Sequence, residues 1–239
     1  MLVSKVNALL SKLFRMKIVR YRPPFDLARE NLIRNCSVDL VIDGGANRGQ
    51  WASEVRKNFV DLPIISIEPV KAAFQILARS AQFDETWTTL NVALGEEAGT
   101  VLMNVASNGE QSSSLLRPSS HLIHYPTVTF NETQATDVIT LDSIDIPENS
   151  KIYLKLDLQG NELAALRGGV AMLELVAVIE IEMTTIQMYE GQGTFLDVAN
   201  FLAGCGFSVF SFADSFRDVS GRSIYVDVIF AKEKLVVTS

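Results

Sequence analysis

From about residue 38 onward, short runs, most of them rich in Val and Ile, alternate with stretches of helical periodicity, and this alternation narrows the chain to one kind of architecture. The runs fall at 39–43, 64–68, 88–93, 151–157, 176–182, 207–212 and 224–231. Several are apolar on both faces, as strands covered by helices on two sides must be. Helical spacing marks 50–58, 70–80, 161–173 and 194–204, the last stopped by Gly204-Cys205-Gly206. Repeated strand–helix–strand units of this kind build an α/β fold, a doubly wound, mostly parallel sheet.

The order breaks between the third and fourth strands. Residues 100–150 hold a polar tract, Ser107-Asn108-Gly109-Glu110-Gln111-Ser112-Ser113-Ser114, then both histidines and further β-like runs. An insertion of that length in a compact domain is usually a lid or a substrate wall. A chain of 239 residues suits one domain with an appendage, here residues 1–37 as an amphipathic helix and linker and 38–239 as the main domain.

Charge separates the same two parts. Residues 1–25 carry six basic side chains and no acid, whereas the rest carries 15 basic against 28 acidic residues. An acidic body argues against nucleic acid as substrate, because neutralising phosphates needs a basic surface. Leu2, Val6, Leu9, Leu10, Leu13 and Phe14 share one face of the basic segment, and Tyr21-Arg22-Pro23-Pro24 ends it. Residues 2–22 suit either an ordinary packed helix or a peripheral membrane contact, and association with further copies stays open. No apolar run reaches the ~18–20 residues of a spanning helix, and Cys36 and Cys205 lie in no CxxC or Cys/His cluster. A cytoplasmic protein with free thiols is the expectation, with no metal site assigned.

The chemistry begins at Val41-Ile42-Asp43-Gly44-Gly45-Ala46-Asn47-Arg48-Gly49, a glycine-rich turn between a strand and a helix. Gly44, Gly45, Asn47 and Gly49 let a ligand approach the backbone, and the helix start offers unpaired N–H groups. The next strand ends in Glu68, placed to accept hydrogen bonds from the ribose of a nucleoside cofactor. A dinucleotide needs Gly-x-Gly-x-x-Gly around its pyrophosphate, but Asn47 interrupts that spacing. Asp43 would repel a pyrophosphate and suit an ammonium group. S-adenosylmethionine is therefore the expected cofactor. The alternatives are an NAD-dependent oxidoreductase and a binding module without turnover.

The sequence resembles the FkbM family of class I methyltransferases over about residues 38–230. The segments VIDGGANRGQW, SIEPV, NVALGEEAGTV, NGEQSSSLL, TLDSI and KLDLQGNELAALRGG carry the resemblance. It implies a seven-stranded class I methyltransferase (Rossmann-like) sheet with the last strand antiparallel, and methyl transfer usually to a hydroxyl oxygen. It also implies adenine against Ala93 and a cofactor contact at Ser112. Gln159 stands where the family usually has Glu in Asp-x-Glu-Gly, so a neutral amide replaces a carboxylate there.

A hydroxyl on a sugar, glycolipid or secondary metabolite is the expected acceptor, and its proton needs a base. Asp157 ends the fourth strand at the ligand-binding edge, and the competing role for it is a helix cap. His121 and His124 in the insertion are further candidates, against a reading as an exposed loop pair. Glu180 and Glu182 point to one face of the fifth strand. Glu182 is the nearer to a substrate, and Glu180 suits pairing with a basic partner.

Overall fold

The computed structural model describes residues 22–233, so the amphipathic helix expected within residues 2–14, and all of 2–22 except Arg22, lies outside the described residues. Residues 22–37, expected as linker, hold a helix, α1 (Pro24–Asn35). Pro23-Pro24 reads as a stop from the N-terminal side, but a proline is equally at home in the first helical turn, where its missing N–H has no partner to lose. Phe25, Leu32 and Ile33 are buried beneath this helix.

The remaining order is β1 (Leu40–Gly44), α2 (Gln50–Arg56), β2 (Ile64–Ile67), α3 (Lys71–Ala81), β3 (Trp87–Leu90), β4 (Ala93–Leu94), β5 (Gly99–Val105), α4 (His121–His124) and β6 (Glu132–Ile139). β7 (Ile152–Leu156), α5 (Glu162–Arg167), β8 (Val176–Thr184), α6 (Phe195–Gly204), β9 (Phe207–Phe212), β10 (Phe216–Arg217) and β11 (Ser223–Lys232) complete it. The main sheet runs β3-β2-β1-β7-β8-β11, with β9 and the short β10 both on β11. β3, β2, β1, β7 and β8 are mutually parallel, and β11 is antiparallel to its neighbours. The expected last strand is therefore the antiparallel one. Strand order reverses between β1 and β7, which opens a crevice at their carboxyl ends.

Both faces of the sheet are covered. Ile42, Leu154, Ile179 and Ile181 pack against Leu163, Leu166 and Leu202 of α5 and α6. Val41, Tyr153, Val178 and Ile229 pack on the opposite face with residues of α1, α2 and α3.

Two expected elements are divided. The run at 88–93 splits because Asn91 turns its amide into the carbonyls of Glu68 (2.8 Å) and Pro69 (3.0 Å), ending the ladder with β2. Ala93–Leu94 then joins a second sheet, β4-β6-β5, so the insertion has a framework of its own. The helix expected over 161–173 stops at Arg167. Gly168 passes so close to Gly95 that an added Cβ would lie 2.3 Å from the Gly95 carbonyl oxygen.

Candidate active site

A cavity of about 410 Å³ opens at the crevice between β1 and β7. One side is the glycine-rich turn. Gly45 sits at φ +75°, and a Cβ there would fall 1.8 Å from the Asp157 carbonyl oxygen, so only glycine lets the turn lie against the end of β7. Glu68, almost fully buried, accepts from the backbone N–H of Asn47 (2.8 Å) and of Val70 (2.7 Å). Those two bonds leave each carboxylate oxygen with further capacity to accept. Arg48 pairs with Glu110 (2.9 Å), and the Asn47 amide donates to the Gly109 carbonyl (3.3 Å), which ties the turn to the insertion.

The structure gathers most, but not all, of the expected residues. Gly45, Asn47, Glu68, Ala93, Ser112, His121, Asp157 and Glu182 line the cavity. Gly44 and Gly49 lie outside its wall: Gly44 is packed under Leu94 and Leu156, and Gly49 against Leu77 and Trp87. Asp43 is also off the wall and fully buried. Its Oδ2 accepts from the Ser66 hydroxyl (3.3 Å), and its Oδ1 is 3.7 Å from the Lys155 ammonium. The expected contact between Asp43 and a ligand ammonium is thus replaced by an internal ion pair. Within the turn, the backbone N–H of Asn47 is engaged by Glu68 and that of Arg48 by Gln50 Oε1 (2.9 Å), ahead of the helix that starts at Gln50.

His121 and His124 part company. His121 is buried among the rings of Tyr125, Phe130 and Tyr189, with centroids 4.9–5.6 Å away, so it is no exposed loop residue. Its Nδ1 has no hydrogen-bond partner, and burial lowers its pKa, favouring the neutral ring. His124 is half-buried and does not reach the cavity. Asp157 does not cap a helix, because α5 begins behind Asn161. Glu162 instead ties down the loop before α5: its Oε1 accepts from the N–H of Leu158 (2.8 Å) and Gly160 (3.2 Å), and burial pushes its pKa up to about 7.

A family model, described as the methyltransferase FkbM domain, matches residues 43–209. The chain belongs to the FkbM methyltransferase family. It is accordingly an S-adenosylmethionine-dependent methyltransferase, and the dinucleotide reading falls away. A comparison with curated proteins found no match. Among solved structures, a putative sarcosine dimethylglycine methyltransferase from Galdieria sulphuraria is similar in fold, with a TM-score of 0.51, 10% identity, and coverage of 87% of this chain and 84% of that one. Magnesium protoporphyrin IX methyltransferase from Synechocystis PCC 6803, solved with bound SAM, gives 0.49 and 8%, covering 96% of each chain. A methyltransferase from Methanosarcina mazei gives 0.49 and 9%, covering 90% and 99%.

The cavity of this FkbM protein fits its cofactor in size and chemistry. Its volume lies within the range of small-molecule sites, the Gly45 turn leaves the backbone bare, and Glu68 offers a carboxylate with acceptor capacity. Burial pushes Glu68 up to about 7 against the two backbone bonds that favour its charge. Next to Asp157, the Lys155 ammonium lies 3.5 Å from Oδ2. Burial works against that charge, but Asp157 and Asp43 outweigh it and hold the amine above its usual range. The Gln159 amide donates to Asp157 Oδ1 (2.7 Å) and Glu182 Oε2 (2.9 Å). Burial, with Asp157 and Asp227 nearby, holds Glu182 well above the ordinary glutamate range. Ammonium and amide hydrogens between these acids suit proton handling better than a divalent ion, which wants oxygen donors.

Glu180 is paired as expected. Arg29 of α1 grips it through two nitrogens (2.6 and 2.7 Å), the Tyr153 hydroxyl donates at 2.6 Å and the Trp51 indole at 3.0 Å. Sequence reasoning missed Lys155, Glu162 and Tyr189. A lysine inside a strand buried on both faces was the available signal for the first. Nothing in the sequence marked the third.

Proposed function

We propose that the protein transfers a methyl group to a hydroxyl oxygen of an uncharged acceptor, such as a sugar, a glycolipid or a secondary metabolite. S-adenosylmethionine supplies the methyl group on a sulfonium centre. In this reading Glu68 accepts the ribose hydroxyls, the Gly45–Asn47 turn, Ala93 and Ser112 border the nucleoside, and Asp157 takes the proton of the attacking hydroxyl.

The observation that carries the reading is the chemistry of the wall beyond the glycine turn. Asp157 and Glu182 present carboxylates beside the phenols of Tyr125, Tyr189 and Tyr225. Among the described residues Lys155 is the one lysine or arginine of the wall, and Asp43 and Asp157 already engage it. Such a wall accepts hydrogen bonds from hydroxyls, offers aromatic faces to a ring, and repels phosphate or carboxylate on an acceptor. A cytoplasmic location belongs to the same reading and is supported by the unpaired Cys36 and Cys205.

Incubation with methyl-labelled cofactor and a panel of alcohols, glycosides, amines and carboxylic acids tests it. Label in an ether linkage is the expected product. Transfer confined to nitrogen or to carboxylates contradicts the proposal.

A further inference from the structure

We propose that Gln159 is a positioning residue whose amide holds the Asp157 and Glu182 carboxylates around one place in the cavity, where the acceptor hydroxyl binds and gives up its proton. The inference rests on the reading of this cavity as the methyl-transfer site. In the step it serves, the hydroxyl oxygen forms a bond to the methyl carbon as the carbon–sulfur bond breaks. The hydroxyl proton passes to Asp157, and sulfur leaves as a neutral thioether.

Two carboxylates side by side in a cavity wall repel each other, and something must hold them together. Gln159 gives one amide hydrogen to each, at 2.7 and 2.9 Å. The sense of the amide follows from its acceptors, since ionised carboxylate oxygens only accept; the Tyr189 hydroxyl, which donates to the Ser112 carbonyl at 2.9 Å, lies 3.2 Å from the amide oxygen. The backbone is held as well. Ser114 donates to the Gln159 carbonyl (2.7 Å), and Glu162 grips the N–H groups on both sides of the residue. Gln159 itself sits at φ +51°, a conformation uncommon for a side-chain-bearing residue and kept only where the surroundings over-determine it. A residue that merely filled the wall would need none of these restraints.

The groups facing Glu182 come from three elements and the aromatic wall. They are Asp157 and Lys155 at the end of β7, Asp227 on β11, Glu162 on α5, and the phenols of Tyr125, Tyr189 and Tyr225. Among these neighbours only Lys155 brings positive charge, so the Gln159 hydrogens are a principal favourable contact for an ionised Glu182.

The test is a carbon-13 NMR titration of the full chain with labelled Asp and Glu carboxyls, the two signals assigned through Asp157→Asn and Glu182→Gln. It needs neither acceptor nor cofactor. In Gln159→Met, which keeps the length of the side chain and removes its donors, the Glu182 midpoint should rise by about one pH unit or more, because a lost donor disfavours the charged form. Gln159→Glu adds a third carboxyl and should raise it as well. An amide spectrum unchanged away from the cavity shows that each variant is folded. Should Gln159→Met not fold, Gln159→Glu, of the same shape, decides alone. A Glu182 midpoint unmoved in a folded variant overturns the proposal. Failure of S-adenosylhomocysteine to bind the wild-type chain overturns instead the methyl-transfer reading on which it rests.

Discussion

Asp157 holds its place through two contacts of different kinds, an amide hydrogen from Gln159 at 2.7 Å and the Lys155 ammonium at 3.5 Å. Asp157→Asn keeps the shape and removes the base. Turnover with a hydroxyl acceptor should fall at least about a hundredfold, the lower end of general-base contributions, while affinity for S-adenosylhomocysteine changes less than about threefold. Equal loss in both measurements would make Asp157 a cofactor ligand. Asp157 and Glu68 were legible in the sequence because each ends an apolar strand, and strand ends on the carboxyl edge face the crevice. The role of Gln159 was not, since Glu182 and Tyr189 lie 23 and 30 residues away and come to it only through the order of β7 and β8 and the loop that follows. Asp43 misled for a related reason. Its partner in register, Lys155, sits on a strand more than a hundred residues later, so the pairing that neutralises it has no local trace.

At the level of elements, α1 is fastened to the sheet by a buried ion pair. Arg29 grips Glu180, which also accepts from Tyr153 and Trp51, and Trp51 lines the cavity. Removing one partner strands the other charge, so Arg29→Ala should lower unfolding free energy by about 3–5 kcal/mol in urea titration. A loss under about 1 kcal/mol would show that α1 is held by Phe25, Leu32 and Ile33 alone. The glycine turn has the opposite tolerance: Gly45→Ala pushes a methyl into the Asp157 carbonyl and should abolish cofactor binding in calorimetry. Retained affinity would mean that the turn moves freely against β7. Element boundaries were readable to within a residue or two wherever periodicity decided them, as at 207–212. They failed where side chains intervened, at Asn91 and at the close approach of Gly168.

Across the whole molecule, a polar row crosses the central strands of the sheet. Ser66, Asp43, Lys155 and Glu180 are register partners on β2, β1, β7 and β8. Burial also raises acids around the cavity, with Glu68 and Glu162 pushed up to about 7 and Asp227 up to about 6. An acid whose folded pKa exceeds its unfolded value binds more protons when folded. The cofactor-free protein should therefore lose stability as pH rises from about 4.5 through 7, seen as a falling Tm. A Tm that climbs steadily over that range would show that these acids are ionised without cost.

Glu68 joins this titration to function. Ribose hydroxyls donate and bond more strongly to an ionised carboxylate than to a neutral carboxyl, whereas burial, which pushes Glu68 up to about 7, favours a proton there below neutrality. Calorimetric titration of S-adenosylhomocysteine into wild type and Glu68→Gln between pH 5.5 and 8.5 tests the account most directly. Wild-type affinity should rise by up to about tenfold per unit as pH approaches 7 and then level off. Glu68→Gln should bind at least about tenfold more weakly at pH 8, with no such rise. Equal affinities at pH 8, or the same pH dependence in both proteins, would contradict the assignment of this cavity.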